Sequence, residues 1–339
     1  MNNSINNKTI LVTGGTGSFG KKFVKTCLDK YRPKKIIVFS RDELKQSEME
    51  KEFSDNKYTQ LRYFIGDVRD LSRLKMAVRG VDIIVHAAAL KHVPIAEYNP
   101  FEFIKTNIIG AQNIIEASLD INSKVSKVVA LSTDKAAAPI NLYGATKLAS
   151  DKLFISANNI KGDKKTKFSV VRYGNVMGSR GSVLEYFQSC KNKKSLNITD
   201  SKMTRFNISI KEGVDFVIFA LETMWGGELF IPKIPAYKIT DLAKSVAPGV
   251  KHKIVGIRPG EKISEEMLTA TDSSRTVEFK KYYVIMPDSK YIKWNKKSYL
   301  NKDTKDKGKE IKKPFSYNSQ DTKQRLSVED LKKIIFKHK

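Results

Sequence analysis

The chain has 339 residues and a mass of 38.4 kDa, room for one large domain or two of ordinary size. With 40% hydrophobic and 29% charged residues it has globular composition, which excludes disorder and collagen-like repeats. The formal charge is +26, but the excess is mostly Lys, +11 of it falls in the last 60 residues, and no nucleic-acid-binding signature accompanies it; we read it as solvated surface and expect no nucleic-acid partner.

Short β-branched runs predict strands over residues 9–12, 35–39, 62–65, 83–86, 127–131 and 168–172. Amphipathic helices fit between them, at 19–29 and 101–118 for example. This alternation predicts right-handed βαβ units and an α/β fold: a Rossmann-type, doubly wound parallel sheet. Beyond residue 172 the rhythm loosens, and Pro232, Pro235, Pro248, Pro259 and Pro287 punctuate short segments. A helix at 211–224 keeps an apolar face (Val214, Val217, Ile218, Leu221) and can return to the sheet. The expected division is a nucleotide-binding domain over 1–172 with 210–226 returning to it, and a smaller substrate domain from 173–209 and 227–339.

The first strand runs into a glycine loop, Gly14-x-x-Gly17-x-x-Gly20, and a helix opens directly after it. Gly14 permits the tight turn, Gly17 lets backbone approach a pyrophosphate, and Gly20 lets helix and strand pack closely. The helix N-terminus adds N–H donors and a positive dipole, so a dinucleotide is expected here. At the end of the second strand, where an acid usually meets the ribose 2′-hydroxyl, stand Ser40 and Arg41. A hydroxyl and a guanidinium suit a 2′-phosphate, so NADP is expected rather than NAD; in the opposite reading Asp42 takes the ribose. Asp67 follows the third strand, where an acid can meet the adenine edge.

Tyr143 and Lys147 stand four residues apart on one helix face. A Lys there can lower the phenol's pKa, and the phenol can exchange a proton with a substrate hydroxyl while hydride moves to a cofactor. With the glycine loop, His86-Ala87-Ala88-Ala89 and Ser132-Thr133, this pair resembles the extended short-chain dehydrogenase/reductases over nearly the whole chain. Five longer stretches sharpen the likeness: residues 39–46, 88–94, 132–136, 141–147 and 258–262 look like those of the inverting UDP-N-acetylglucosamine 4,6-dehydratases, NADP enzymes that open the pseudaminic acid and related surface-sugar pathways.

That resemblance implies roles residue by residue. Thr16, Gly17, Ser18, Phe19, Ser40, Arg41, Asp42, Glu43, Leu44, Lys45, Asp67, Val68, Ala87, Tyr143, Lys147 and Val176 would hold NADP. Lys91, Asn175, Arg180, Gly181, Ser182, Val183, Leu184, Thr199, Arg258 and Glu261 would hold the UDP-sugar. Arg forks and backbone N–H groups, which a diphosphate wants, occur in Arg172-Tyr173-Gly174-Asn175 and in the loop 178–182. Thr133, Asp134 and Lys135 would complete the catalytic group with Tyr143 and Lys147. Retaining relatives look like they place Glu where this chain has Lys135, so Lys135 is expected as the C5 base, its pKa lowered by burial, with Asp134 as the acid for the 6-hydroxyl. The chain departs from the pattern at Asn207, Ser264 and Ala138, which bears on substrate contacts.

Two other classes remain open. A 4-epimerase on the same scaffold oxidises and re-reduces C4 without losing water, and a non-enzymatic Rossmann regulator binds NADP and nucleic acid but typically loses the Tyr/Lys pair. His86, His92, His252 and His338 show no metal spacing, so no metal is expected. No apolar run nears a membrane span, residues 1–8 are polar, and only Cys27 and Cys190 occur; a cytoplasmic chain without membrane contact is expected. The stretch 98–118 and the helix from Tyr143 resemble the paired helices of superfamily dimers, so a homo-oligomer is expected, a dimer or a dimer-based hexamer.

Overall fold

The computed structural model describes residues 4–53, 58–178, 182–191, 193–287, 292, 294–302 and 306–336. Six parallel strands come first: β1 (Thr9–Thr13), β2 (Lys35–Ser40), β3 (Leu61–Ile65), β4 (Ile83–His86), β5 (Lys127–Thr133) and β6 (Lys167–Tyr173). They lie in the order β3-β2-β1-β4-β5-β6. The strand order reverses between β1 and β4, and a crevice opens at such a switch point, outside the carboxyl ends of the strands. The central strands are continuous apolar runs because helices cover both faces; every residue of β1 is buried, whereas β3 at the sheet edge is buried only in part.

The helices are α1 (Ser18–Lys30), α2 (Glu43–Glu52), α3 (Leu71–Ala77), α4 (Val93–Tyr98), α5 (Pro100–Phe103), α6 (Gly110–Leu119) and α7 (Leu142–Ile160). The single helix expected at 101–118 is interrupted: Ile104–Ile109 is π-helical. The wider turn places Asn107 where it accepts from Leu90 N (2.9 Å) and donates to Leu90 O (2.9 Å) and Thr146 Oγ1 (3.0 Å). One buried amide thereby pins the loop after β4 to α7, a common use of a π-bulge near a functional site.

Beyond β6 come β7 (Asn175–Val176), α8 (Val183–Ser189), β8 (Ser195–Ile198), β9 (Thr204–Ile208), α9 (Ile210–Thr223), β10 (Leu229–Pro232), β11 (Ala236–Lys238), α10 (Ile239–Val246), β12 (Lys251–Ile254), β13 (Glu266–Leu268), β14 (Thr276–Glu278), β15 (Tyr282–Ile285), β16 (Lys309–Glu310) and β17 (Tyr317–Asn318). α9 buries Val214, Val217, Ile218 and Leu221 in the same core as β5 and β6 and packs on α1. The stretch 227–339, expected whole in the smaller unit, is shared: β10 pairs with β6 in parallel, and β15, β14 and β16 continue the large sheet antiparallel. An apolar edge at β6 would be a template for unwanted pairing, and the fully buried strand 229–232 covers it. The rest forms a second lobe with β7, β9 and β11 in one sheet and its own core of Leu184, Phe187, Leu196, Ile198, Tyr237 and Leu242, capped by Leu331 of the helix Val328–Phe336.

Candidate active site

A cleft of about 1130 Å³ runs along the carboxyl ends of β1, β4, β5 and β6 and under the second lobe. It exceeds an ordinary small-molecule pocket of about 300–1,000 Å³, which suits a dinucleotide with a second ligand beside it.

The glycine loop lies at one end. Gly14 has φ +65°, and a Cβ there would stand 2.9 Å from Ala88 N; a Cβ on Gly20 would stand 2.5 Å from Gly15 Cα. Gly17 caps the N-terminus of α1 with bare backbone. Side-chain-free backbone at a helix N-terminus is a cradle for a pyrophosphate, so the residues present fit a dinucleotide. Thr16, Gly17, Ser18, Phe19, Ser40, Arg41, Asp42, Lys45, Asp67, Val68, Ala87 and Val176 line the cleft with Gly14 and Gly20. Glu43 and Leu44 do not line it; they form the first turn of α2, and Leu44 is exposed. The Asp42 carboxylate is engaged as the cap of α2, accepting from Lys45 N at 3.0 Å and pairing with the Lys45 ammonium. Ser40 Oγ accepts from Gln46 Nε2 at 3.0 Å, and the half-exposed Arg41 reaches Asp67 at 3.6 Å. Burial pushes the Asp67 carboxyl up, but donors from Arg69 outweigh it and hold it below its ordinary range.

The chemistry-bearing groups meet where β5 ends. Thr133 caps a 3₁₀ turn, Asp134–Ala136, and α7 packs against that turn so closely that a Cβ on Gly144 would stand 2.2 Å from Lys135 O. Asn141 caps α7 through Gly144 N (2.7 Å), which fixes Tyr143 and Lys147 on the face toward the cleft. Lys135 Nζ lies 3.1 Å from Asp134 Oδ1 and 3.0 Å from Glu265 Oε1. Burial works to lower the Lys135 pKa, but the two carboxylates outweigh it and raise it. This corrects the expectation of a lysine whose pKa burial brings down: at rest it is an ammonium. Burial raises the Asp134 carboxyl above its usual range; Lys135 pulls it back and Glu265 pushes it further up. Burial pushes the Tyr143 phenol up to about 12; Lys135 and a hydrogen bond from Thr133 work against that rise. Lys135, on the 3₁₀ turn, thus works to lower the Tyr143 pKa, a role the i, i+4 spacing assigns to Lys147. Burial lowers the pKa of Lys147, partly offset by Asp151.

On the other side Lys91, Asn175, Ser182, Val183, Thr199, Arg258 and Glu261 line the cleft. Burial lowers the Lys91 pKa, Glu185 opposes it, and Lys135 adds to the lowering. Arg258 Nε pairs with Glu261 at 3.2 Å, and their loop is docked on the 3₁₀ turn and the start of α7 by Asn141 Nδ2→Gly260 O (2.8 Å) and Lys262 Nζ→Ala137 O (2.9 Å). Two expectations change. Leu184 sits in the core of the second lobe and does not line the cleft. Arg172 is buried, bonded to Asp151 Oδ2 (3.0 Å) and Met267 O (3.1 Å), and presents no fork to a diphosphate. Arg180 and Gly181 lie outside the described residues. Of the three departures, Ala138 has φ +44°, and Asn207 pairs in register with Asn175, both with a buried, unpartnered Oδ1. Glu265 and Arg205 went unnoticed in the sequence: both line the cleft, but each reads as part of a polar stretch, and only the fold buries them.

The family profile described as "Polysaccharide biosynthesis protein" matches residues 10–287. The chain is 55% identical over 332 residues to the UDP-N-acetylglucosamine 4,6-dehydratase (inverting) of Campylobacter jejuni serotype O:23/36, covering 97% of this chain and 98% of that one. It is 41% identical over 337 residues to a UDP-glucose 4-epimerase of Rickettsia akari, covering 97% and 95%. The crystal structure of Pen from Bacillus thuringiensis superposes with a TM-score of 0.87 at 36% identity, covering 98% of each chain.

Proposed function

The chain belongs to the polysaccharide biosynthesis protein family of extended short-chain dehydrogenase/reductases, and on that footing we propose that it is a lyase that dehydrates UDP-N-acetylglucosamine across C4–C6 with inversion at C5. The product is a UDP-4-keto-6-deoxy-L-sugar for pseudaminic acid or a related surface glycan, made in the cytoplasm. The Asp134–Lys135 pair in a cleft that also holds the glycine loop, together with the 55% identity to an inverting dehydratase, carries this reading.

The glycine loop, Ser40, Arg41 and Lys147 would hold NADP, which would supply a hydride acceptor for C4 and a hydride donor for C6. Tyr143 takes the C4 hydroxyl proton as a phenolate, the form that the Lys135 ammonium and the Thr133 hydrogen bond favour against burial. The 4-ketone acidifies the C5 proton. Transfer of one proton along the 3.1 Å Lys135–Asp134 hydrogen bond turns the ion pair into an amine and a carboxylic acid. Filling the cleft removes water, which disfavours separated charge and favours that neutral pair. The Lys135 amine then takes the C5 proton, the C5–C6 double bond forms, and the C6–O bond breaks as Asp134 protonates the departing hydroxyl to water. Return of a proton to C5 from Lys135 on the face opposite to the one it left inverts that carbon.

Exposed Ile95, Tyr98, Phe101 and Ile109 along α4, α5 and the π-helical turn support a homo-oligomer paired through this surface. Among the described residues no helix is long and apolar enough to cross a membrane. The second reading, a UDP-sugar 4-epimerase, draws on the Rickettsia relative; it leaves the Asp134–Lys135 pair without a task. NMR of the sugar after incubation with UDP-N-acetylglucosamine and NADP separates the two. A C6 methyl group supports dehydration; an intact C6 hydroxymethyl with an inverted C4 supports epimerisation.

A further inference from the structure

Lys135 carries two carboxylates, and the reaction proposed above uses only one of them. The second, Glu265, reaches the catalytic turn from the segment before β13. It is 2% exposed, and its backbone is tied to Ser319 on both sides, through Glu265 N→Ser319 Oγ (2.9 Å) and Ser319 N→Glu265 O (2.7 Å). Its Oε1 lies 3.0 Å from Lys135 Nζ and 3.6 Å from Arg205 Nε. Its Oε2 is buried without a hydrogen-bond partner, and so is Asp134 Oδ2 on the other side of the ammonium. A buried carboxylate with an idle oxygen is costly, and a packing role alone is served as well by an apolar side chain.

We propose that Glu265 is a positioning residue for the elimination: it holds the Lys135 ammonium against Asp134 and, with Arg205 as its counterweight, sets the pH range in which the pair can act as base and acid. The proposal rests on the dehydratase reading. The charged and titratable groups facing this cluster are Asp134 on the 3₁₀ turn, Tyr143 on α7, Arg205 on β9, Tyr237 on β11, Lys262 on the docked loop and Lys91 after β4. Among them Glu265 and Asp134 raise the Lys135 pKa and Arg205 lowers it. Removing the Glu265 charge therefore frees the amine at lower pH, and removing the Arg205 charge strengthens the hold and frees it only at higher pH.

The test uses the full-length enzyme and two readouts. Trace acylation of the Lys135 amine across pH, located by peptide mass, reads the free amine without turnover. The pH dependence of C5 deuterium uptake from D₂O into the UDP-sugar reads the working base. In Glu265→Gln the midpoint of labelling and the rising limb of C5 exchange both move down by about one pH unit. In Glu265→Asp the charge is retained and most of the shift is recovered. In Arg205→Gln both move up, an opposite sign that loss of structure does not produce and that keeps the test alive if Glu265→Gln fails to fold. Unmoved midpoints in the variants, or shifts of the same sign in Glu265→Gln and Arg205→Gln, overturn the proposal. If the wild-type enzyme leaves UDP-N-acetylglucosamine unexchanged at C5, the dehydratase reading fails instead, while the labelling midpoints still decide the role of Glu265.

Discussion

Thr13 Oγ1 and His86 Nδ1 lie 2.8 Å apart, joining the last residues of β1 and β4, from which the glycine loop and the Ala87–Ala89 stretch depart. His86 is fully buried, and burial, with a smaller contribution from Lys147, lowers its pKa from 6.5 to about 3. The imidazole therefore works as a neutral hydrogen-bonding strut.

A pH dependence of stability follows. The folded-state pKa is depressed, so the unfolded chain takes up the proton first as pH falls. The contribution is complete above the unfolded value of 6.5 and is lost as pH falls toward about 3. Between pH 6.5 and 4 the wild type should lose on the order of 2–3 kcal/mol more than His86→Gln, read by urea unfolding at each pH. Parallel curves for the two proteins contradict this.

Cofactor choice is the second prediction. Asp42 is committed to capping α2 and to Lys45, which leaves Ser40 and Arg41 of the cleft lining to meet a ribose phosphate under the proposed function. NADP should raise the melting temperature more than NAD at equal concentration, by linkage to the folded state. Arg41→Ala should narrow the gap. An equal or larger rise with NAD overturns the assignment.

The third concerns Gly144. Its missing side chain lets α7 sit on the turn that carries Asp134 and Lys135, with Lys135 O at 2.2 Å and Pro139 Cβ at 3.0 Å from where a Cβ would stand. Both neighbours are rigid, so Gly144→Ala should cost about 1–3 kcal/mol and displace the turn. Turnover should fall with it. Wild-type melting and turnover in this variant rule out the close fit.

Much of this was readable in the sequence where burial on both sides writes itself as an apolar run. The strands ending at Thr13, Ser40, His86 and Thr133 were readable in this way, as was the glycine loop between β1 and α1. The π-helical stretch was hidden because its apolar spacing also fits an α-helix; only the bonds from Asn107 to Leu90 and Thr146 give it away. β10 was hidden because Leu229-Phe230-Ile231 is short and ends on Pro232, which reads as a break until its place beside β6 is known. Arg172 and Glu265 illustrate the limit for charged residues. Their partners, Asp151 and Lys135, come from other elements, so local sequence cannot say that one is spent in the interior and the other faces the catalytic cluster.

The central claim is that Lys135 moves the C5 proton. The direct measurement is deuterium uptake at C5 from D₂O, followed by NMR in wild type and Lys135→Ala with NADP present. Uptake should fall by roughly 10²–10⁴-fold in the variant, the usual span for a general base, while NADP still raises its melting temperature. Exchange at the wild-type rate in Lys135→Ala contradicts the account and leaves Lys135 as a counter-ion to Asp134 and Glu265.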